Sequence, residues 1–61
     1  MDFKKLNDKC YGATIRTVAT YFIEKVEGYY YIYDVNYKEV ENIVKTLAEA
    51  KQYIKEMEVN S

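Results

Sequence analysis

Histidine and proline are absent from these 61 residues, and there are only one cysteine and two glycines. Each shortage excludes something. With Cys10 alone, no intrachain disulfide can form, and without histidine a Cys/His zinc site has no ligands. Gly12 and Gly28 stand far apart, so there is no glycine-rich loop to cradle a phosphate. No stretch approaches the ~18 consecutive apolar residues of a membrane span, and the first residues lack the apolar core of a signal peptide. A charge excess is missing too. Nine Lys/Arg face ten Asp/Glu, for a net charge of -1. That leaves a weak basic footprint for nucleic acid.

The length fits one domain over residues 1–61. A chain this short buries only ~60% of its unfolded surface. Small domains usually compensate with disulfides, a metal or self-association. Composition removes the first and leaves no Cys/His site for the second, so self-association rises as an explanation. The lone thiol fits a reducing cytoplasm better than a secreted scaffold, and an inert Cys10 is favoured over an intermolecular bridge.

What the chain does have is tyrosine. Four of its eight tyrosines fall in Tyr29-Tyr30-Tyr31-Ile32-Tyr33-Asp34-Val35. Aromatic and β-branched residues suit a pleated, half-buried surface, so this stretch is expected to be the central strand of a small sheet. Residues 1–12 show no sustained period and are expected to form an arm or a short helical turn, with Phe3 and Leu6 three apart. Gly12 would supply an unusual backbone conformation there.

Residues 13–27 carry two signals. Ile15, Val18, Ala19, Phe22, Ile23 and Val26 follow helical spacing, and Gly28 would close such a helix. The run Thr14-Ile15, Thr17-Val18 and Thr20-Tyr21-Phe22-Ile23 is instead strand-forming. Pairing decides for a strand over roughly Val18 to Val26. With a tight turn at Glu27-Gly28, Ile23 faces Ile32, Phe22 faces Tyr33 and Lys25 faces Tyr30. A turn at Asn36-Tyr37-Lys38 follows, with Asn36 suited to a left-handed conformation. Glu39 to Lys45 then returns as a third strand. A three-residue loop places Val44 beside Tyr30 and Ile43 beside Tyr31; a two-residue loop exchanges the faces.

Thr46-Leu47-Ala48-Glu49 is a capping box, with the Thr46 hydroxyl and the Glu49 carboxylate serving the free N–H groups of a helix start. The helix continues to about Met57, with Leu47, Ala50, Ile54 and Met57 on one face. The expected fold class is therefore α+β, a three-stranded antiparallel sheet with one C-terminal helix packed on one face. The alternative is α-β-β-α, with residues 13–27 helical.

One helix covers one face of a sheet. Ile23, Tyr30, Ile32 and Val44 are expected under Leu47, Ala50 and Ile54. That leaves Phe22, Val26, Tyr29, Tyr31 and Tyr33 on the open side. Two readings stand side by side: a second small core closed by Phe3, Leu6 and Ile15, or an intermolecular contact. Tyrosine suits the latter because its ring is apolar and its hydroxyl hydrogen-bonds. Phe22, Tyr29, Tyr31 and Tyr33 are the candidate partner-binding residues. Glu39 and Glu41 share a strand face but have no histidine or apolar cleft beside them, so solvated charge is the simpler reading. No catalytic, cofactor-binding or metal-binding residue is identified, and the chain is read as non-enzymatic.

The strands followed by Ile43-Val44-Lys45-Thr46-Leu47-Ala48-Glu49-Ala50 resemble the small β-β-β-α units of phage and mobile-element proteins. One such family is the arm-type DNA-binding domain of tyrosine integrases, itself similar to AP2 domains. Its helix often opens with T-x-x-E-A, matched here by Thr46, Glu49 and Ala50. The resemblance covers about residues 21–57. It implies a sheet face that enters a DNA groove with Arg and Lys. This chain departs there: Tyr29, Tyr31 and Tyr33 stand in those positions, near Glu24 and Glu41. The function expected is thus a small cytoplasmic interaction module, in the setting of a phage or mobile-element accessory protein. It would bind a protein partner or itself, as a homodimer, through its tyrosine face. A sheet-type DNA/RNA-binding domain is the alternative.

Overall fold

The computed structural model describes residues 1–16 and 19–60. Five strands run in chain order: β1 (Asp2–Asn7), β2 (Cys10–Ile15), β3 (Ala19–Val26), β4 (Tyr29–Tyr33) and β5 (Val40–Val44). One helix, α1 (Leu47–Asn60), follows. Every strand pairs antiparallel with its chain neighbour, so the spatial order is β1-β2-β3-β4-β5. This corrects the three-stranded sheet expected above. It also replaces the α-β-β-α alternative, since Cys10–Ile15 and Ala19–Val26 are strands.

β1 and the first half of β2 come from residues 1–12, expected to be an arm or helical turn, and the rest of β2 from the start of the stretch with two signals. Phe3 pairs with Ala13 and Lys5 with Tyr11. The turn between them is closed by the Asn7 side chain, whose Oδ1 accepts the Lys9 N–H at 2.9 Å. The pattern is hard to see because β1 is an edge strand with one core residue, Phe3. Its other apolar member, Leu6, points to the opposite face. Gly12 sits inside β2 rather than at a break, with no left-handed φ. A Cβ there would lie 3.5 Å from a Thr20 methyl and 3.6 Å from Leu6. Both are ordinary contact distances, so the position has room for an alanine.

The helical spacing in residues 13–27 also finds its explanation. Positions four apart share a face in a strand as they do in a helix. Ala19 and Ile23 point to the helix, while Phe22 and Val26 point away. Val18, the expected start of the strand, lies outside the described residues. At the β3–β4 turn, Glu27 (φ 50°) and Gly28 (φ 85°) are both left-handed. That is the pairing of a type I′ hairpin, whose twist matches the strands it joins.

The register between β3 and β4 sets Ile23 against Ile32, Phe22 against Tyr33 and Lys25 against Tyr30. Between β4 and β5, Tyr30 meets Val44 and Tyr31 meets Ile43. A bulge near Ile32/Tyr33 leaves Glu41 without an opposite number.

Helix α1 starts on Thr46. Its hydroxyl accepts the Glu49 N–H at 3.1 Å and donates to Glu49 Oε1 at 3.1 Å. The last turn has no basic residue of its own. Arg16, arriving from the end of β2, donates from its guanidinium to the Glu58 carbonyl at 3.1 Å. It thereby supplies the positive charge that a helix C-terminus favours. The core lies between α1 and one sheet face: Ala13, Ile15, Ile23, Ile32, Ala50 and Ile54. Phe3, Tyr11, Tyr21, Tyr30, Val44, Leu47, Tyr53 and Met57 surround it. Two of the six buried residues are alanines, so the fully dry core is thin. Among the described residues, no helix is long and apolar enough to cross a membrane.

Candidate interaction surface

Cross-strand partners share a face, so the register assigns every side chain to one side of the sheet. The ten aromatic residues divide evenly. Phe3, Tyr11, Tyr21, Tyr30 and Tyr53 pack against the core beneath α1. Phe22, Tyr29, Tyr31 and Tyr33 lie on the other side, and Tyr37 folds onto them from the β4–β5 loop. All four residues expected to bind a partner are thus brought onto one surface.

Alternation along β4 explains the arrangement. Tyr29, Tyr31 and Tyr33 are every second residue of one strand, so their rings form a ridge with a repeat of ~6.8 Å. Val26 pairs with Tyr29 on one flank, and Ile43 and Val40 pair with Tyr31 and Tyr33 on the other. No described element covers this face. Leu6, Tyr29, Val40 and Ile43 are each between 43% and 50% exposed. The expected second core, closed by Phe3, Leu6 and Ile15, does not form, because Phe3 and Ile15 face the helix. Leu6 alone reaches the open side.

The surface carries few charges. Asp2 and Lys4 sit at the β1 end, and Glu24 lies between Cys10 and Tyr31 in the middle. The Tyr33 hydroxyl donates to Glu24 Oε1 at 3.2 Å. Partial burial, followed by the Glu24 carboxylate, raises the Tyr33 phenol above its ordinary pKa of 10.0. The phenol therefore stays protonated and donating. From β3 outward to β5, the strands add one further charge, Glu41, which follows the inward-facing Asn42 at the bulge opposite Tyr33. Strand separations of ~4.8 Å give the sheet a width of ~19 Å, and strands of this length make the face roughly 400 Å² in projection. Its apolar part runs from Val26 across Tyr29 and Tyr31 to Val40 and Ile43, and contiguous exposed apolar patches are often functional.

One side of the patch is organised by a residue not singled out in the sequence. The Asp34 carboxylate accepts the Asn36 N–H at 3.0 Å and the Lys38 N–H at 3.1 Å. The Asp34 backbone closes the same loop by donating to Glu39 and accepting from Tyr37, both at 3.0 Å. Those N–H groups, Lys38 first, hold the Asp34 pKa below its ordinary 3.8. Asp34 at the head of Val35-Asn36 was the available signal, since aspartate at a turn start bonds its own backbone two residues on. The left-handed position expected at Asn36 falls instead on Tyr37, at φ 58°.

Among the described residues no group of three or more Cys, Asp and Glu is placed to hold a metal. Neither is there a buried side-chain polar atom without a partner. A cavity on the outer side of α1, lined by Gln52, Lys55, Glu56 and Val59, is a hollow among solvated side chains away from the tyrosines. Comparison with known protein families, curated proteins and solved structures finds no match to this chain.

Proposed function

We propose that this protein is a non-enzymatic interaction module that associates with a second copy of itself, face to face, through the open side of its sheet. The observation that carries the reading is the uncovered ridge of Tyr29 and Tyr31 with its flanking Val26, Val40 and Ile43. Three features favour a second copy over an unrelated partner. Apart from Glu24 and Glu41 the aromatic half of the patch is apolar, so it does not select a strongly charged partner. Tyrosine hydroxyls donate and accept, which suits a two-fold contact where each group meets its own kind. The fully buried core is small, and stacking two sheets ~10 Å apart would give each chain a second one.

A cytoplasmic setting fits the unpaired Cys10. A phage or mobile-element role rests on the resemblance of the strand-helix junction alone. Single-stranded nucleic-acid binders also present aromatic platforms, but they combine them with a positive groove. The only cation that the strands add to this face is Lys4.

Sedimentation equilibrium tests the proposal. Wild type is expected to weigh as a dimer at tens of micromolar. Tyr31→Ser keeps a hydroxyl but removes the ring, and should weaken association by ~2 kcal/mol or more, the scale of an aromatic hot spot. A monomeric wild type at millimolar concentration refutes self-association. Binding to short DNA or RNA that disappears as salt rises would install the nucleic-acid reading instead.

A further inference from the structure

The aromatic surface is partly occupied by the chain itself. The Tyr37 ring stacks on Phe22 with centroids 4.8 Å apart and planes 26° apart. It also leans on Tyr33 at 4.8 Å and 34°. Its hydroxyl reaches Cys10 Sγ at 3.3 Å. Phe22 and Tyr33 are directly paired across β3 and β4, so they form a two-ring seat with Cys10 at its rim. Tyr37 belongs to no strand. It hangs from the Asp34–Glu39 loop, and its own backbone takes a left-handed φ of 58°, a conformation costly for a residue with a Cβ. The loop holds it there through the two N–H bonds to the Asp34 carboxylate. One side of the ring touches the seat and the other faces solvent, leaving the residue 40% exposed. The contact is therefore shallow, braced from outside, and made by the same kind of ring that an aromatic contact between copies would use.

From this geometry we infer that Tyr37 is a lid, closing the Phe22–Tyr33 seat against an aromatic side chain of a second copy. The inference rests on the proposed face-to-face association. It adds that the closed loop limits how much of the face takes part. Opening requires only rotation of the side chain and release of a six-residue loop, with no strand displaced. With Tyr37 lifted, the seat joins the Tyr31–Ile43 side of the patch, and the aromatic ridge of β4 becomes continuous from Tyr29 to Tyr33.

Two readouts test the lid. The first is the rate at which Ellman's reagent modifies Cys10, measured below the concentration at which wild type associates. Tyr37→Ala should raise that rate at least threefold. Asp34→Ala should raise it in the same direction by freeing the loop. Tyr37→Phe keeps the ring and loses the hydroxyl, and should stay near wild type. The second readout is dimer dissociation by sedimentation, where Tyr37→Ala should tighten association at least threefold. Unchanged Cys10 rates in both Tyr37→Ala and Asp34→Ala, with each shown folded by circular dichroism, overturn the lid. So does weaker association of Tyr37→Ala, which would make Tyr37 itself an interface contact. Faster Cys10 modification with no association of any form, wild type included, overturns the dimer and with it the lid's role in limiting association.

Discussion

Ile32 is the residue whose replacement most sharply tests the two-faced sheet. It is fully buried, lies across from the equally buried Ile23, and packs in the cluster that includes Ile54 and Ala50. Stabilities of ~0.05–0.15 kcal/mol per residue give this chain about 3–9 kcal/mol in total. Cutting a buried isoleucine to alanine costs about 2–5 kcal/mol through lost burial and the cavity left behind. Ile32→Ala should therefore remove much of the fold, or all of it. Ile32→Val is the measurable version, because it keeps the β-branch and deletes one methyl group. Its expected cost is about 0.5–1.5 kcal/mol. In a domain this small, each kcal/mol lowers the melting temperature by about 4–8 °C. The control is Ile43→Val on the next strand and the opposite face. Ile43 is 48% exposed in the single chain, so in dilute solution its cost should stay within about 0.5 kcal/mol. Thermal melts at low micromolar concentration, followed by circular dichroism, supply both values. Equal losses for the two variants, or a larger loss at Ile43, would show that the faces have been assigned the wrong way round.

Thr46→Ala removes the two hydrogen bonds of the Thr46 side chain at the start of α1 and should cost about 1 kcal/mol in a urea melt; no loss would place the helix start elsewhere. The Asp34 loop should respond to acid in a fixed direction. Its carboxylate has a depressed pKa when folded, so the loop's order is complete above the ordinary aspartate range and is lost as pH falls through the folded value. The amide NMR signals of Asn36 and Lys38 should titrate with a midpoint below 3.8. A midpoint at or above that figure would mean that their N–H groups do not bond the carboxylate.

What could be read from sequence was whatever depended on near neighbours. The Glu27-Gly28 turn fixed the pairing of Ile23 with Ile32 and Phe22 with Tyr33, because a two-residue hairpin leaves no freedom of register. The Thr46/Glu49 cap was visible because its partners stand three apart, although the Glu49 carboxylate takes the Thr46 hydroxyl and not the Thr46 N–H expected of it. Once Ile32 was inward, alternation sent Tyr29, Tyr31 and Tyr33 outward together. The first two strands escaped notice because β1 has lysines on both faces and its apolar Phe3 and Leu6 on opposite ones. Such a pattern fits an edge strand and gives no clean period of two. The candidate surface was incomplete for a related reason. Leu6 reaches it only through β1 and β2, and Val40 only through the bulge that sets it opposite Tyr33. Tyr37 reaches it through a loop whose shape depends on the Asp34 carboxylate, and Tyr37 takes the left-handed position that propensity assigns to Asn36.

The central claim is that the open tyrosine face is where two copies meet, and isotope-filtered NMR on a mixture of labelled and unlabelled protein addresses it most directly. Contacts between copies are expected at Val26, Tyr29, Tyr31, Val40 and Ile43, and none at the outward residues Gln52, Lys55 and Glu56 of the helix. Contacts confined to the helix, or none at all at millimolar concentration, would contradict it.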